Sequence, residues 1–230
     1  MNKPHLSIII PVLNEIEQLE ELITTLKDQS VFHNEVIIVD GGSTDGSYEW
    51  LEKKEGITLI QTKKGRAHQQ NEGAKAASSE VLYFLHADTR PPKDFDQIIH
   101  QAYIKNNKAG SFRLRFSGNH WALNVAARAS RFNNRYCRGG DQSLFIQKKL
   151  FNSLNGFNED YVICEDGELI DRIYKKHSFC VLPQEVITSS RRFKENGVIR
   201  LQFHFMMIHV LRAIGKPPAT LHKYYCQFVK

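Results

Sequence analysis

Short apolar runs and longer amphipathic stretches alternate along the first 105 residues. Leu6-Ser7-Ile8-Ile9-Ile10, Val36-Ile37-Ile38-Val39 and Val81-Leu82-Tyr83-Phe84-Leu85 carry no regular polar alternation and read as buried strands, and Ile57-Thr58-Leu59-Ile60 reads as a further strand between the second and the last of these. Proline has no N–H for a ladder, so Pro11 is expected to end the first strand, and Pro91-Pro92 to bound the fourth. Ile16, Leu19, Leu22, Ile23 and Leu26 recur at helical spacing and predict a helix over 16–29. Further helices are expected over 47–54, over 67–77, where small residues allow close packing, and over 94–105. Strand and helix in strict alternation predict an α/β fold with a mostly parallel central sheet flanked by helices.

The second half is less regular. Residues 110–116 alternate apolar and polar, as a half-exposed strand does. A helix carrying Arg128, Arg131 and Arg135 is predicted over 120–135, then a turn at Gly139-Gly140-Asp141-Gln142, a strand over 143–146 and a short helix over 148–154. A helix is expected over 165–176, with edge strands at 180–182 and 186–189. No repeat or linker interrupts the chain, so residues 1–230 read as one domain. It divides into an N-terminal half, 1–105, and a C-terminal half, 106–230.

At 230 residues the chain can bury a substantial core, and its balance of 41% hydrophobic and 24% charged residues is that of a soluble globular protein. A formal charge of +6 favours an acidic partner: a phosphorylated small molecule, an anionic membrane surface or nucleic acid. Nucleic acid is the weakest of these, because no recognition motif accompanies the charge. Cys137, Cys164, Cys180 and Cys226 have neither C-x-x-C nor zinc spacing and read as free thiols. With no apolar leader segment, the expected location is cytoplasmic. The stretch 201–211 is far shorter than the ~20 residues of a spanning helix. A basic helix over about 197–215 instead either packs on the core or lies on the inner face of the membrane.

In an open parallel sheet, ligands sit beyond the carboxyl ends of the strands. That edge collects Asn14, Glu15, Asp40, Arg66, His86 and Asp88. Asp40 can accept hydrogen bonds from a base or ribose, or cap its own turn. Lys64 and Arg66 can neutralise a diphosphate, and Asp88 can offer oxygen to a divalent cation. Neither G-x-x-x-x-G-K-[ST] nor G-x-G-x-x-G occurs, which disfavours a P-loop NTPase and a dinucleotide-binding oxidoreductase.

Four ordered segments carry a resemblance: Pro11-Val12-Leu13-Asn14-Glu15, Val39-Asp40-Gly41-Gly42-Ser43-Thr44-Asp45, Gly65-Arg66-Ala67-His68-Gln69-Gln70-Asn71-Glu72-Gly73 and Leu85-His86-Ala87-Asp88-Thr89. Together they resemble the successive motifs of family 2 glycosyltransferases, nucleotide-sugar-dependent enzymes of the GT-A fold. The Leu-His-Ala-Asp-Thr and Arg-Ala-x-Gln-x-Asn forms are similar to a small bacterial subfamily.

The resemblance implies that Pro11, Asn14 and Glu15 contact the nucleotide, Asp40 reads the base and Arg66 lies near the diphosphate, with Ala87 and Asp88 completing the donor site. Asp88 matches the second aspartate of the Asp-x-Asp metal motif, and His86 takes the place of the first. The implied cofactor is Mn or Mg, and the expected donor is a UDP-sugar. Glu165-Asp166 matches the Glu-Asp motif whose aspartate is the general base of inverting members. An acidic pair also suits any helix N-terminus. Gly140, Asp141 and Gln142 would line the acceptor side. Ser190-Arg191-Arg192-Phe193 resembles a degenerate Gln-x-x-Arg-Trp element, and without its Gln and Trp polymer synthesis is not expected. The implied reaction moves one sugar to an unidentified acceptor, in a monomer or a homodimer. A nucleotidyltransferase and a non-catalytic nucleotide-sugar binding module at the membrane surface are the alternatives.

Overall fold

The computed structural model describes residues 4–229. In chain order, the first half comprises β1 (Ser7–Val12), α1 (Ile16–Gln29), β2 (Glu35–Asp40), α2 (Ser47–Leu51), β3 (Ile57–Gln61), α3 (Arg66–Ala76), β4 (Val81–Phe84), β5 (Thr89–Arg90) and α4 (Phe95–Ile104). The second half follows with β6 (Ala109–Phe116), α5 (Trp121–Ala129), β7 (Leu144–Gln147), α6 (Lys148–Ser153), α7 (Glu165–Lys176), β8 (Cys180–Thr188), α8 (Arg191–Asn196), α9 (Val198–Ala213) and α10 (Pro218–Phe228). Among the described residues all eight strands join in one sheet, ordered β3-β2-β1-β4-β7-β6-β8-β5. Strands β3, β2, β1 and β4 run parallel, as β6 and β8 do, while β7 runs antiparallel to both of its neighbours and β5 to β8.

The uninterrupted apolar runs have a direct structural cause. Successive side chains of a strand point to opposite faces. Ile8, Ile10, Ile38 and Tyr83 join one core cluster with Leu19, Leu22, Phe95 and Ile99 of α1 and α4. Ile9, Ile37, Val39, Leu82 and Phe84 join another with Ala67 and Ala74 of α3 and Leu169 and Ile170 of α7. Both faces are covered, so neither parity can be polar.

Several expected boundaries are corrected. Pro11 lies inside β1, opposite Val39. The Ile9 carbonyl accepts from Leu85 N on the β4 side, and the Val12 carbonyl accepts from Gly41 N on the β2 side. Pro11 shares the parity of Ile9, so its missing N–H would face β4 beyond the last β1–β4 pair, Ile9 with Phe84, where no ladder bond is lost. The segments 180–182 and 186–189 form one strand, β8, held between β6 and β5 rather than at an edge. The register jumps from Phe112 opposite Leu182 to Arg113 opposite Glu185, so Pro183 and Gln184 are accommodated in a bulge. The helix expected over 120–135 stops at Ala129. Buried Arg138 donates to the carbonyls of Ser130 and Phe132 and to Ser111 Oγ, folding the arginine-rich stretch back onto β6. The helix expected over 47–54 spans only Ser47–Leu51, while α8 and α10 were not anticipated.

One motif is chiefly architectural. Gln69 Nε2 donates to the carbonyls of Val12 and Val39, both at 2.8 Å, stitching the ends of β1 and β2 together. Asn71 clamps the Phe157 backbone, accepting from its N–H at 2.9 Å and donating to its carbonyl at 2.9 Å. A Cβ at Gly73 would stand 2.5 Å from Ile9 Cγ2 and 3.1 Å from Val39 Cγ2. Alanine in a helix interior normally stabilises by about 1 kcal/mol over glycine. Gly73→Ala is expected to destabilise instead, by about 1–3 kcal/mol through overpacking. A thermal melt at or above the wild-type midpoint would refute this close helix–sheet contact.

Candidate active site

Strands β1, β2 and β4 are parallel, so the segments that follow them leave the sheet on one side. Chain connections diverge on either side of β1, which places the crevice between the ends of β1 and β4. Glu15 follows one of these strands, and His86 and Asp88 follow the other. Leu144, at the start of β7, lies opposite Phe84 at the end of β4. That antiparallel pairing returns the 3-10 turn Gly140–Gln142 to the same edge. The first turn of α7 completes the wall with Glu165 and Asp166.

Among the sequence-predicted residues, Glu15, Arg66, Asp88, Asp141, Glu165 and Asp166 converge with His86. Arg66 Nη1 stands 3.4 Å from Glu165 Oε1. His86 lies between two carboxylates, with Nδ1 at 3.6 Å from Asp141 Oδ1 and Nε2 at 3.8 Å from Asp166 Oδ2. Asp40 is fully buried: Oδ1 accepts from the N–H groups of Gly42 and Ser43 at 2.8 and 3.0 Å, while Oδ2 has no partner. One oxygen caps the turn, as the alternative reading of Asp40 held, and the other is left open.

Other predicted residues serve the framework. Asn14 adopts φ 56° and cross-links its loop to the Asp40 turn, its Oδ1 accepting from Thr44 N and its own N–H donating to Ser43 Oγ. Ala87 is buried in the core, and its carbonyl accepts from Arg90 Nη1. Gln142 is buried and donates to the Cys137 carbonyl at 2.7 Å. Pro11 is a strand residue. Arg191, to which the sequence assigned no role, reaches Glu15 at 3.6 Å and Glu17 at 3.5 Å. Its signal was the Ser-Arg-Arg-Phe segment, whose separation from β1 in sequence hid the contact.

The charges act on one another strongly. Partial desolvation opposes the Arg66 charge, but Glu165, Asp166, Asp141 and Asp88 outweigh it and hold the guanidinium protonated. Burial and Arg66 pull the His86 imidazole down, and Asp141 and Asp166 more than restore it, leaving it above its ordinary value. Partial desolvation pushes Asp141 up, yet His86, Arg66 and Arg192 hold it below the usual carboxylate range. Burial and the Asp88 charge raise Glu15 despite Arg191 and Arg66. Burial, with the Asp166 charge beside it, pushes Glu165 up to about 7 against the pull of Arg66. Five carboxyl groups thus share this edge with Arg66, His86 and Arg191. Among the described residues, no three His, Cys, Asp or Glu side chains stand together as a metal site. A cation here must draw most of its oxygens from a ligand, as a phosphate-bound Mg or Mn does.

A family model, Glycosyl transferase family 2, matches residues 7–156. The chain belongs to that family. It is 32% identical over 98 residues to a putative teichuronic acid biosynthesis glycosyltransferase of Bacillus subtilis, covering 40% of this chain and 39% of the relative. It is 24% identical over 201 residues to a PGL/p-HBAD biosynthesis glycosyltransferase of Mycobacterium bovis, covering 83% of this chain and 77% of the relative. Matches to the first curated relatives span less than half of their lengths. The mannosyltransferase PcManGT of Pyrobaculum calidifontis, solved with GDP-Man and Mn2+, superposes with TM-score 0.71 at 21% identity, covering 98% of this chain and 70% of that one. S. aureus TarS 1-349, solved with UDP-GlcNAc, superposes with TM-score 0.66 at 18% identity, covering 97% and 71%. The architecture is the GT-A fold.

The Glu165 environment predicts a pH dependence. Its ordinary value is 4.5 and its folded value about 7. Between these the folded state retains a proton that the unfolded state has released, so this group's contribution to stability falls as pH rises through the window. Glu165→Gln is expected to flatten that slope and to exceed wild type in stability above about pH 7. Denaturant midpoints measured on both sides of the window check it, and parallel wild-type and variant profiles would contradict it.

Proposed function

We propose that the protein transfers a single glycosyl unit from a nucleoside diphosphate sugar to an acceptor hydroxyl, with inversion at the anomeric carbon. The observation that carries this reading is the meeting of Glu15 and Asp88, from the two strands bordering the crevice, with Asp166 on the facing helix. In this reading residues 1–105 hold the donor and residues 106–230 shape the acceptor side.

The buried, unpartnered Asp40 Oδ2 is an acceptor for an N–H of the base or a ribose hydroxyl, since a buried carboxylate oxygen left unpaired is costly. Arg66 is half exposed, so its guanidinium can pair with the diphosphate while retaining Glu165. Arg191, anchored by Glu15 and Glu17, is a second cation for that charge. Asp88 would hold a divalent Mn or Mg jointly with the diphosphate oxygens, and Glu15 adds negative charge nearby. When bound, such a cation neutralises charge on the leaving group. The carboxylate excess of the site supports this fit, because a diphosphate entering without a cation would meet net repulsion.

Asp166 acts as general base. It takes the proton of the acceptor hydroxyl as that oxygen bonds to the anomeric carbon, and the opposite bond to the diphosphate oxygen breaks with its electron pair leaving on the diphosphate. Arg66 stabilises that developing charge. Asp141 and His86 line the acceptor side of Asp166, and Glu165, protonated up to about pH 7, limits the negative charge beside the base. His86, standing where the family motif carries a carboxylate, favours one second reading, a nucleotide-sugar binding module without transfer.

Calorimetric titration with UDP, GDP, CDP and ADP, each with manganese and with EDTA, tests the donor site. One diphosphate is expected to bind in a metal-dependent manner, and no binding by any of the four would sink the reading. Asp88→Ala should weaken the manganese-dependent affinity while leaving any residual binding in EDTA unchanged. Equal affinity of variant and wild type in manganese would remove Asp88 from its role. Asp166→Asn is expected to lower donor turnover by about 10²–10⁴-fold with unchanged donor affinity. Unaltered turnover would show that the base lies elsewhere.

A further inference from the structure

Helix α9 is apolar on two opposite faces. Leu201 and Ile208 are 2% and 1% exposed and pack into the core. Ile199, Phe203, Met206, Val210 and the C-cap residue Ile214 are between 47% and 64% exposed. At about 100° per residue these five fall within an arc of about 80°, opposite the buried face. A surface helix ordinarily turns polar residues outward, so this outward stripe lacks the usual reason to exist in water. Helix α5 packs against α9 and repeats the pattern, with Trp121 and Val125 exposed one turn apart and Leu123 buried between them.

Charge is partitioned in the same places. Residues 97–140 and 196–230, which contain α5 and α9, hold thirteen Lys and Arg and no Asp or Glu. The remaining residues hold eighteen basic against twenty-five acidic side chains. Arg128 on α5 and Arg200 on α9 are exposed beside the apolar residues. We propose that the α9 stripe and its basic surroundings seat the protein on an anionic lipid surface, with α9 lying in the interface plane. None of the helices is long and apolar enough to cross a membrane among the described residues. A nucleic acid would satisfy the arginines but leave the stripe in water, so anionic lipid is the occupant that answers both features.

Helix α9 also borders the candidate active site, through the face turned away from the stripe. Arg212, near the end of α9, packs so closely on the first turn of α7 that a Cβ at Gly167 would fall 1.2 Å from its Nη1, and its Nε lies 3.8 Å from Asp171 Oδ2. Gly167 directly follows Asp166. Docking rests on the surface alone. Its consequence, that the acceptor hydroxyl belongs to a lipid-borne molecule presented at the interface, rests on the transferase reading.

Co-sedimentation of the full chain with vesicles of phosphatidylcholine alone, and of phosphatidylcholine mixed with phosphatidylglycerol, tests the surface. Binding is expected only to the mixed vesicles, weakening as salt is raised. Phe203→Ser combined with Met206→Ser should lower the partition coefficient at least about tenfold. Arg128→Ser and Arg200→Ser should each lower it about fivefold. All four side chains are exposed, so circular dichroism melts should stay unchanged and separate lost docking from lost folding. No binding to mixed vesicles, or equal binding by wild type and the double variant, overturns the proposal. A stable dimer by light scattering that the double variant dissolves also overturns it, because a second copy would then cover the stripe. Nucleotide titration of the same preparation keeps the two readings apart: nucleotide binding without vesicle binding removes only the docking surface, and the reverse removes only the transferase reading.

Discussion

A parallel sheet covered by helices on both faces has no place along its strands for an unpaired charge. Beyond Ser7 and Glu35 at their starts, β1, β2 and β4 are therefore apolar and turn polar where they leave the sheet, at Glu15, Asp40 and Asp88. The chain's polar chemistry gathers at that edge because burial forbids it elsewhere. Asp40 stands at the limit of this rule, fully buried at the last position of β2, with one oxygen committed to the turn and the other unsatisfied.

Holding such an edge open takes connections that do no chemistry. Gln69 joins the ends of β1 and β2, Asn14 fastens the first loop to the second, and Asn71 fixes the loop before α7 to α3. A Cβ at Gly41 would come within 2.9 Å of the Gln69 amide, so the glycine-rich turn and the helix that supports it are matched in size. Arg66 and Gly73 bracket these residues on α3, one reaching the site and the other letting the helix settle on β1. A single sequence motif thus spans two jobs, and their separation becomes visible only when the contacts are known.

The assembled site is electrostatically crowded, and its members set one another's protonation. Buried Glu165 retains a proton at pH values where an ordinary carboxyl has lost it, while the surrounding carboxylates hold Arg66 protonated and lift His86 above its ordinary value. Such crowding is unfavourable in an isolated fold, and groups with displaced protonation of this kind gather at functional sites.

Much of the N-terminal half was legible because its determinants are local. Apolar runs, helical spacing and strand-end polar residues located β1 to β4 and α1, α3 and α4 to within about two residues, and placed Glu15, Asp40, Arg66 and Asp88 at one edge. Element limits set by partners were not legible. Pro11 stays in its strand because β4 has already ended beside it, α5 stops where Arg138 takes up the carbonyls beyond it, and the two-residue β5 exists only as a complement to β8. The meeting of His86 with Asp141 and Asp166, and of Arg191 with Glu15, depends on the antiparallel return of β7 and on where α7 and α8 pack. By itself the sequence determined the α/β alternation and the edge on which the polar residues stand, since these follow from burial and periodicity, and it carried the motifs that resemble the family's. Which charges face one another, and which apolar residues of α9 remain uncovered, only the tertiary structure decided, because both are properties of surfaces brought together from distant parts of the chain.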